Sequence, residues 1–469
     1  MTSVDCFGLP LSGLPKSGSV DPAPKTVAAD LATDWDAVVR AALAHDAVTA
    51  DLIAGLLKQA PLFALGHAVH GLFCMMLGRR ETDAMAVDDL AKAQGAAQVI
   101  GVTAREQAYI AALEDYILGR QWVVAERMDA ILRMHPEDAL ALKIGHSVRF
   151  ILGDSAGMRR SIEAVIDAYG PDHPACGYVY GCYAFALEET GAYDKAMAMG
   201  QKGLALVAND AWGLHALAHV HDMTGRPEDG VAWLTPRSAQ WAHCNNFRFH
   251  VWWHLALFHL ALGEIDQVLE LYDREVRSEH TDDYRDISNG VTMLARLEME
   301  GVDVGDRWEE LAALSCNRIQ DGCVVFADVH YAMALVGAGG RENTQAAQAL
   351  LARMKGDAIA DGSALRRDQG MIAAKIGLPV TEGLVAFFDR RWAEAHDHFS
   401  SVRSDLIKIG GSHAQRDIFE WLTIDAAMRA ERVETAASLI RDRARRRGAR
   451  DRYTEKREAA ANQALLAAQ

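Results

Sequence analysis

The chain has 469 residues, 24% of them charged and 50% hydrophobic, the mix of a folded protein too long for one ordinary compact core. Its formal charge of −16 argues against nucleic acid or an anionic membrane as main partner, because displacing counterions from phosphates needs a long basic stripe. The single basic run, Arg441 to Arg452, is interleaved with Asp442 and Asp451 and reads as a solvated helix face.

In chain order, Met1 to Lys25 is rich in Gly, Pro and Ser and lacks both a basic start and a continuous apolar stretch, so it is expected to be an extended arm rather than a secretory signal. From residue 26 to 469 apolar residues recur at three- and four-residue spacing, broken roughly every 12 to 20 residues by Gly, Pro or Asp. That pattern predicts an all-α chain of helical hairpins with essentially no strands. No segment approaches about 20 apolar residues without charge, so no membrane span is expected. Seven cysteines without CxxC spacing fit reduced thiols, no disulfides and a cytoplasmic location.

The clearest hairpin begins at Gly191-Ala-Tyr-Asp-Lys-Ala196, runs through Ala205, turns at Asn209-Asp210 and re-enters a helix at Trp212. It has the layout of a tetratricopeptide repeat, in which small residues let two helices approach and an aromatic fills the gap between neighbours. Weaker units start at Gly119-Arg-Gln-Trp122, Gly263-Glu-Ile-Asp266 and Arg390-Arg-Trp392. Such hairpins bury their apolar faces only by stacking, so one curved α-solenoid over residues 26–469 is predicted, with turns at Gly337 to Gly340 and Gly410-Gly411 and a softer boundary near 337–341.

Four stretches carry a family likeness: Ala184-Phe-Ala-Leu-Glu-Glu-Thr-Gly191, Trp212-Gly-Leu-His-Ala-Leu-Ala-His-Val-His-Asp-Met-Thr-Gly-Arg226, Trp253-His-Leu-Ala-Leu-Phe258 and Gly410-Gly-Ser-His-Ala-Gln-Arg-Asp417. Over about residues 60 to 430 the chain resembles the tetratricopeptide repeat protein 38 family. The resemblance implies a soluble α-solenoid of degenerate repeats and carries no activity with it. Asp222 departs from it, standing where the family prefers a longer acid.

Seven of the 18 histidines fall between His215 and His259, where even spacing would put about two. His215, His219, Asp222 and Arg226 step by four, three and four, which predicts one stripe of one helix. His250 and His254 repeat the one-turn step on the next inner helix. Two such pairs on neighbouring helices can chelate a divalent ion such as zinc through His215, His219, His250 and His254. They can equally line an acid/base pocket, or form a hydrogen-bonded network that fixes helix register. Neither pair has the glutamate of a zincin; Ala216 and Val251 stand there.

A second polar group is Ser412-His-Ala-Gln-Arg-Asp417, where Ser412 is an N-cap candidate and His413, Arg416 and Asp417 share the first turns, an arrangement suited either to an anion or to a capping box. Asp328 and His330, and His67 and His70, are further contributors weighed against structural roles.

Two functions follow. In one, the concave wall forms a pocket for a small, anionic molecule. His219, His254 and His413 then act as acid or base with Asp222 orienting, a hydrolytic or other proton-transfer reaction, while His215, His250, Arg226, Arg416, Asp417, Asp328 and His330 bind substrate. In the other, the protein is a non-catalytic scaffold that binds a peptide or protein in its groove. No cofactor is the expectation unless the histidines hold a metal, and the oligomeric state is left open, a homodimer included.

Overall fold

The three- and four-residue apolar spacing becomes helix after helix in the structure, a computed structural model that describes residues 3–14, 31–359 and 367–467. The only paired strands among the described residues are Ser3–Val4 and Pro10–Leu11, an antiparallel hairpin. Gly8 (φ +81°) makes its turn, and Asp5 Oδ1 accepts from the N–H groups of Phe7 and Leu9. This hairpin replaces the beginning of the expected extended arm. Residues 15–25 of that arm lie outside the described residues.

The chain is tetratricopeptide-like in the sense that consecutive helices pack as hairpins, and it gathers into two compact units. One lies within Met1–Leu214, Gln240–Asn245 and Ser363–Asp368, the other within His215–Ala239, Asn246–Gly362 and Gln369–Gln469. Residues 337–341 sit inside the second unit.

In the first unit helix Tyr193–Leu206, the first helix of the hairpin read from Gly191 onward, packs along the helix before it, Cys176–Glu188, a pairing other than the one read from the sequence. Gly191 takes φ +77° and ends the earlier of the two, a conformation that side chains with a Cβ rarely adopt. At the crossing, a Cβ on Gly203 would meet the Gly177 carbonyl oxygen at 2.8 Å and Tyr180 Cβ at 3.1 Å, so small residues do let these helices close up. Trp212 fills the gap to the preceding hairpin, packing on Phe185 and Phe150 with ring centroids 4.7 and 6.0 Å away.

The second unit holds the histidine cluster. Helix Phe247–Leu262 packs against Pro227–Leu234, Ile265–Leu271 and Tyr284–Met299. Its end is set by Gly263 (φ +79°), whose N–H reaches back to the His259 and Leu260 carbonyls. Helix Tyr284–Met299 also packs against His413–Arg429, which is covered in turn by Val433–Arg447. One helical stretch among the described residues, Asp368–Phe388, is long and apolar enough to cross a membrane, but 56% of its most apolar window is already buried in the protein. Its part from Leu378 to Phe388 packs against Trp392–Val402 and Val325–Ala338. All seven cysteines are free thiols.

Candidate metal centre

His215 and His219 lie one turn apart on helix Ala211–Met223, and His250 and His254 one turn apart on Phe247–Leu262. The structure brings all four together. Their Nε2 atoms point at one another: His219 to His215 at 2.9 Å, His215 to His250 at 3.1 Å and His250 to His254 at 3.2 Å. The four ligand atoms lie within 4.8 Å of one another. His215, His219 and His254 are buried and His250 is partly exposed, which leaves one side of entry for an ion.

The electrostatics follow from burial. Burial holds His250 down to about 4 against the opposing pull of its hydrogen bond to Asn289, and holds His254 well below the ordinary histidine value, with His219, His250 and Arg296 adding to the effect. Both rings are therefore neutral at pH 7, the form that ligates metals. Asn289 Oδ1 accepts from His250 Nδ1 at 3.0 Å, so the tautomer of His250 puts its lone pair on the inward Nε2.

A neutral imidazole offers one proton and one lone pair, on opposite nitrogens. Each inward Nε2 can thus serve in one contact only, and the run His219–His215–His250–His254 has three contacts, of which at most two can be hydrogen bonds at once. A cation would accept all four lone pairs together. With metal–nitrogen bonds of about 2.0–2.1 Å, a tetrahedral site has ligand–ligand edges of about 3.3–3.4 Å. The present contacts need to open by only a few tenths of an ångström to reach it.

The other expected contributors go elsewhere. Arg226 is not on the histidine stripe: Gly225 (φ +65°) ends the helix before it, and Arg226 is an exposed residue at the start of the next helix, donating to Thr224 and lying 3.7 Å from Asp229. Asp222 stays on the helix but does not orient a histidine; its Oδ1 accepts from Arg447 at 2.8 Å. Ser412 caps helix His413–Arg429 in a full capping box with Gln415. Arg416 folds back onto the Gly410 and Gly411 carbonyls and its Nη2 lies 3.5 Å from His413 Nδ1, while Asp417 takes both prongs of Arg443 at 2.6 and 2.7 Å. Asp328 is gripped by Arg353 at 3.0 Å. His330 donates to the Phe326 carbonyl at 2.6 Å and packs tilted against the Phe326 ring, a buried core histidine brought down to about 4 by desolvation.

Two further residues matter here, of which the sequence reading named Trp253 but not Asn289. Asn289, on helix Tyr284–Met299, orients His250. Trp253 stacks on His250 with centroids 5.2 Å apart and meets His254 edge-on at 5.0 Å. In the first unit His67 and His70 both contact Asp89, from Nδ1 at 3.1 and 2.5 Å. Cys74 lies 4.0 Å from His70 Nε2, so His70, Cys74 and Asp89 also form a compact group of metal-ligating types.

No family model matches the chain. Among solved structures it is similar to the human IFIT1 dimer with m7Gppp-AAAA, at 14% identity over 86% of this chain and 90% of that one, with a TM-score of 0.37. It is also similar to a chain of Naa15/Naa10 bound to HypK-THB, at 13% identity and a TM-score of 0.25, covering 92% of this chain but only 65% of that one. Overlaps this loose carry no argument about partners, and the site is read from its own residues.

Proposed function

We propose that the chain is a helical-repeat scaffold of the tetratricopeptide repeat protein 38 type, built around a structural site for one divalent transition-metal ion, zinc first among them. The observation that carries this is the convergence of four histidine Nε2 atoms, two from each of two helices, in three contacts of which at most two can be hydrogen bonds at once. All-imidazole ligation suits zinc, copper, nickel and iron, and four protein ligands leave no open position for a substrate, the hallmark of a structural rather than a catalytic site. With their Nε2 atoms on the ion, His219 and His254 keep no inward nitrogen for acid/base work, and Asp222 is engaged by Arg447. This supports the scaffold over the hydrolytic reading.

Cobalt(II) provides the test. Added to chelator-treated, tag-free protein, it is expected to give the intense visible absorption of a tetrahedral cobalt–imidazole centre, lost in His215→Ala and in His254→Ala while far-ultraviolet circular dichroism is unchanged. Folded wild type that binds no cobalt would overturn the proposal.

A further inference from the structure

In the second unit a cavity of about 230 Å³ lies beside Arg296, Arg443 and Arg447, with Leu257, Phe258 and Ala261 on its apolar wall. Two of the three arginines have their counter-charges. Arg443 grips Asp417 in a two-pronged pair and Asp451 in another, at 2.6 to 2.9 Å. Arg447 reaches Asp222 at 2.8 Å. Asp222, Asp417 and Asp451 are therefore all engaged.

Arg296 is different. It is 2% exposed, yet among the described residues it pairs with no carboxylate. Two of its five N–H groups go to the carbonyls of Thr292 and Ala414, at 3.1 and 2.8 Å, and its guanidinium sits by Trp253 and Trp421, 5.7 and 5.8 Å from their ring centres. A guanidinium buried without its anion costs several kcal/mol. Burial accordingly lowers its pKa to about 10, with the cations Arg443 and Arg447 pushing the same way and Asp417 and Asp222 opposing.

We propose that this cavity binds a small organic anion, a carboxylate or phosphate monoester on a compact apolar body, with Arg296 as the residue that receives the charge. The remaining N–H groups supply charge-assisted hydrogen bonds, and the leucine, phenylalanine and alanine wall takes the apolar part. The expectation of an anion held by Arg226 or Arg416 is thereby moved to a residue the sequence did not single out. The site adjoins the histidine cluster through Trp253, but none of the four histidines lines it, so it does not depend on a metal there.

The test is calorimetric titration of the full chain with benzoate, phenyl phosphate and inorganic phosphate, with benzyl alcohol as the uncharged match. At least one of the two organic anions should bind, roughly tenfold or more tightly than benzyl alcohol; inorganic phosphate, which leaves the apolar wall unfilled, should bind more weakly. Arg296→Gln should weaken that binding by about tenfold or more. Without ligand it should melt no lower than wild type, because it removes an unpaired buried charge. A structural clamp on Ala414 would behave in the opposite way, melting lower with binding intact, and that result overturns the proposal. So does the absence of binding by both organic anions, or equal binding of benzyl alcohol. Should Arg296→Gln fail to fold, Ala261→Phe decides: it fills the cavity and leaves Arg296 in place, so lost binding sustains the proposal and retained binding overturns it.

Discussion

Two groups of histidines, one pair three residues apart on its helix and two pairs four apart, are put to opposite ends. In the first unit His67 and His70 share the carboxylate of Asp89; the hydrogen bond to Asp89, with the Cys74 contact, raises His70 to about 10, while the two histidines hold Asp89 below its ordinary value against its burial. His70 is thus an imidazolium at pH 7, and a metal on His70, Cys74 and Asp89 would have to displace that proton. In the second unit the ring nitrogens of His215, His219, His250 and His254 face one another, and the orienting partner of His250 is the neutral amide of Asn289. One group is wired to hold a proton, and the other is the one proposed to hold a cation. What decides between them is the side chain that a neighbouring helix presents.

The largest effect expected from that difference is on metal-linked stability. An ion bound at about a thousand times its Kd adds about 4 kcal/mol, which is about 10 °C of melting temperature for a unit of this size. Chelation should lower the calorimetric midpoint by that much in wild type and in His70→Gln, and should do nothing in His219→Ala; a chelator effect lost in His70→Gln instead would reverse the assignment of the two groups.

Next is Asn289. Replacing it with Leu removes the partner that fixes the His250 tautomer, and metal affinity measured against a chromophoric chelator should fall about 10- to 100-fold. Asp89→Asn should leave that affinity unchanged.

The pH dependence is smaller and belongs to the first unit. The folded-state pKa of His70 is raised from 6.5 to about 10, so its contribution is fully present below about pH 6.5 and is lost as pH rises through about 10. Denaturant midpoints of wild type and Asp89→Asn should therefore converge as the pH rises from 7 to 10.5; a constant gap between them contradicts the ion pair. The smallest effect is at Arg226, whose exposed contacts predict a change within about 0.5 kcal/mol for Arg226→Ala, and no change in metal affinity.

How far the sequence could be read follows from the distance over which each feature is decided. The packing of helix Tyr193–Leu206 on Cys176–Glu188 was not the pairing read from the sequence, whereas the break at Gly191 and the helix after it were legible because a left-handed glycine sets them locally. The two histidine pairs were legible for the same reason, since one-turn spacing fixes which side chains share a face. Arg226 was misplaced because periodicity was carried across Thr224-Gly225, where the backbone leaves the helix. The partners of Asp222 and His250 were not legible. Arg447 stands 225 positions from Asp222 and Asn289 stands 39 from His250, and only packing brings them together. Arg296 was hidden for the converse reason, because a missing counter-charge can be seen only once all neighbours are placed. The hairpin at Ser3–Val4 and Pro10–Leu11 was overlooked because strands of two residues leave no alternation to read.

The most direct measurement is elemental analysis of the full chain purified without a histidine tag and then equilibrated with limiting zinc. About one tightly held ion per chain is predicted, retained in His70→Gln and lost in both His219→Ala and His254→Ala. Folded wild type that holds no ion, or an ion that survives the loss of His219 and His254, would contradict a four-histidine metal centre.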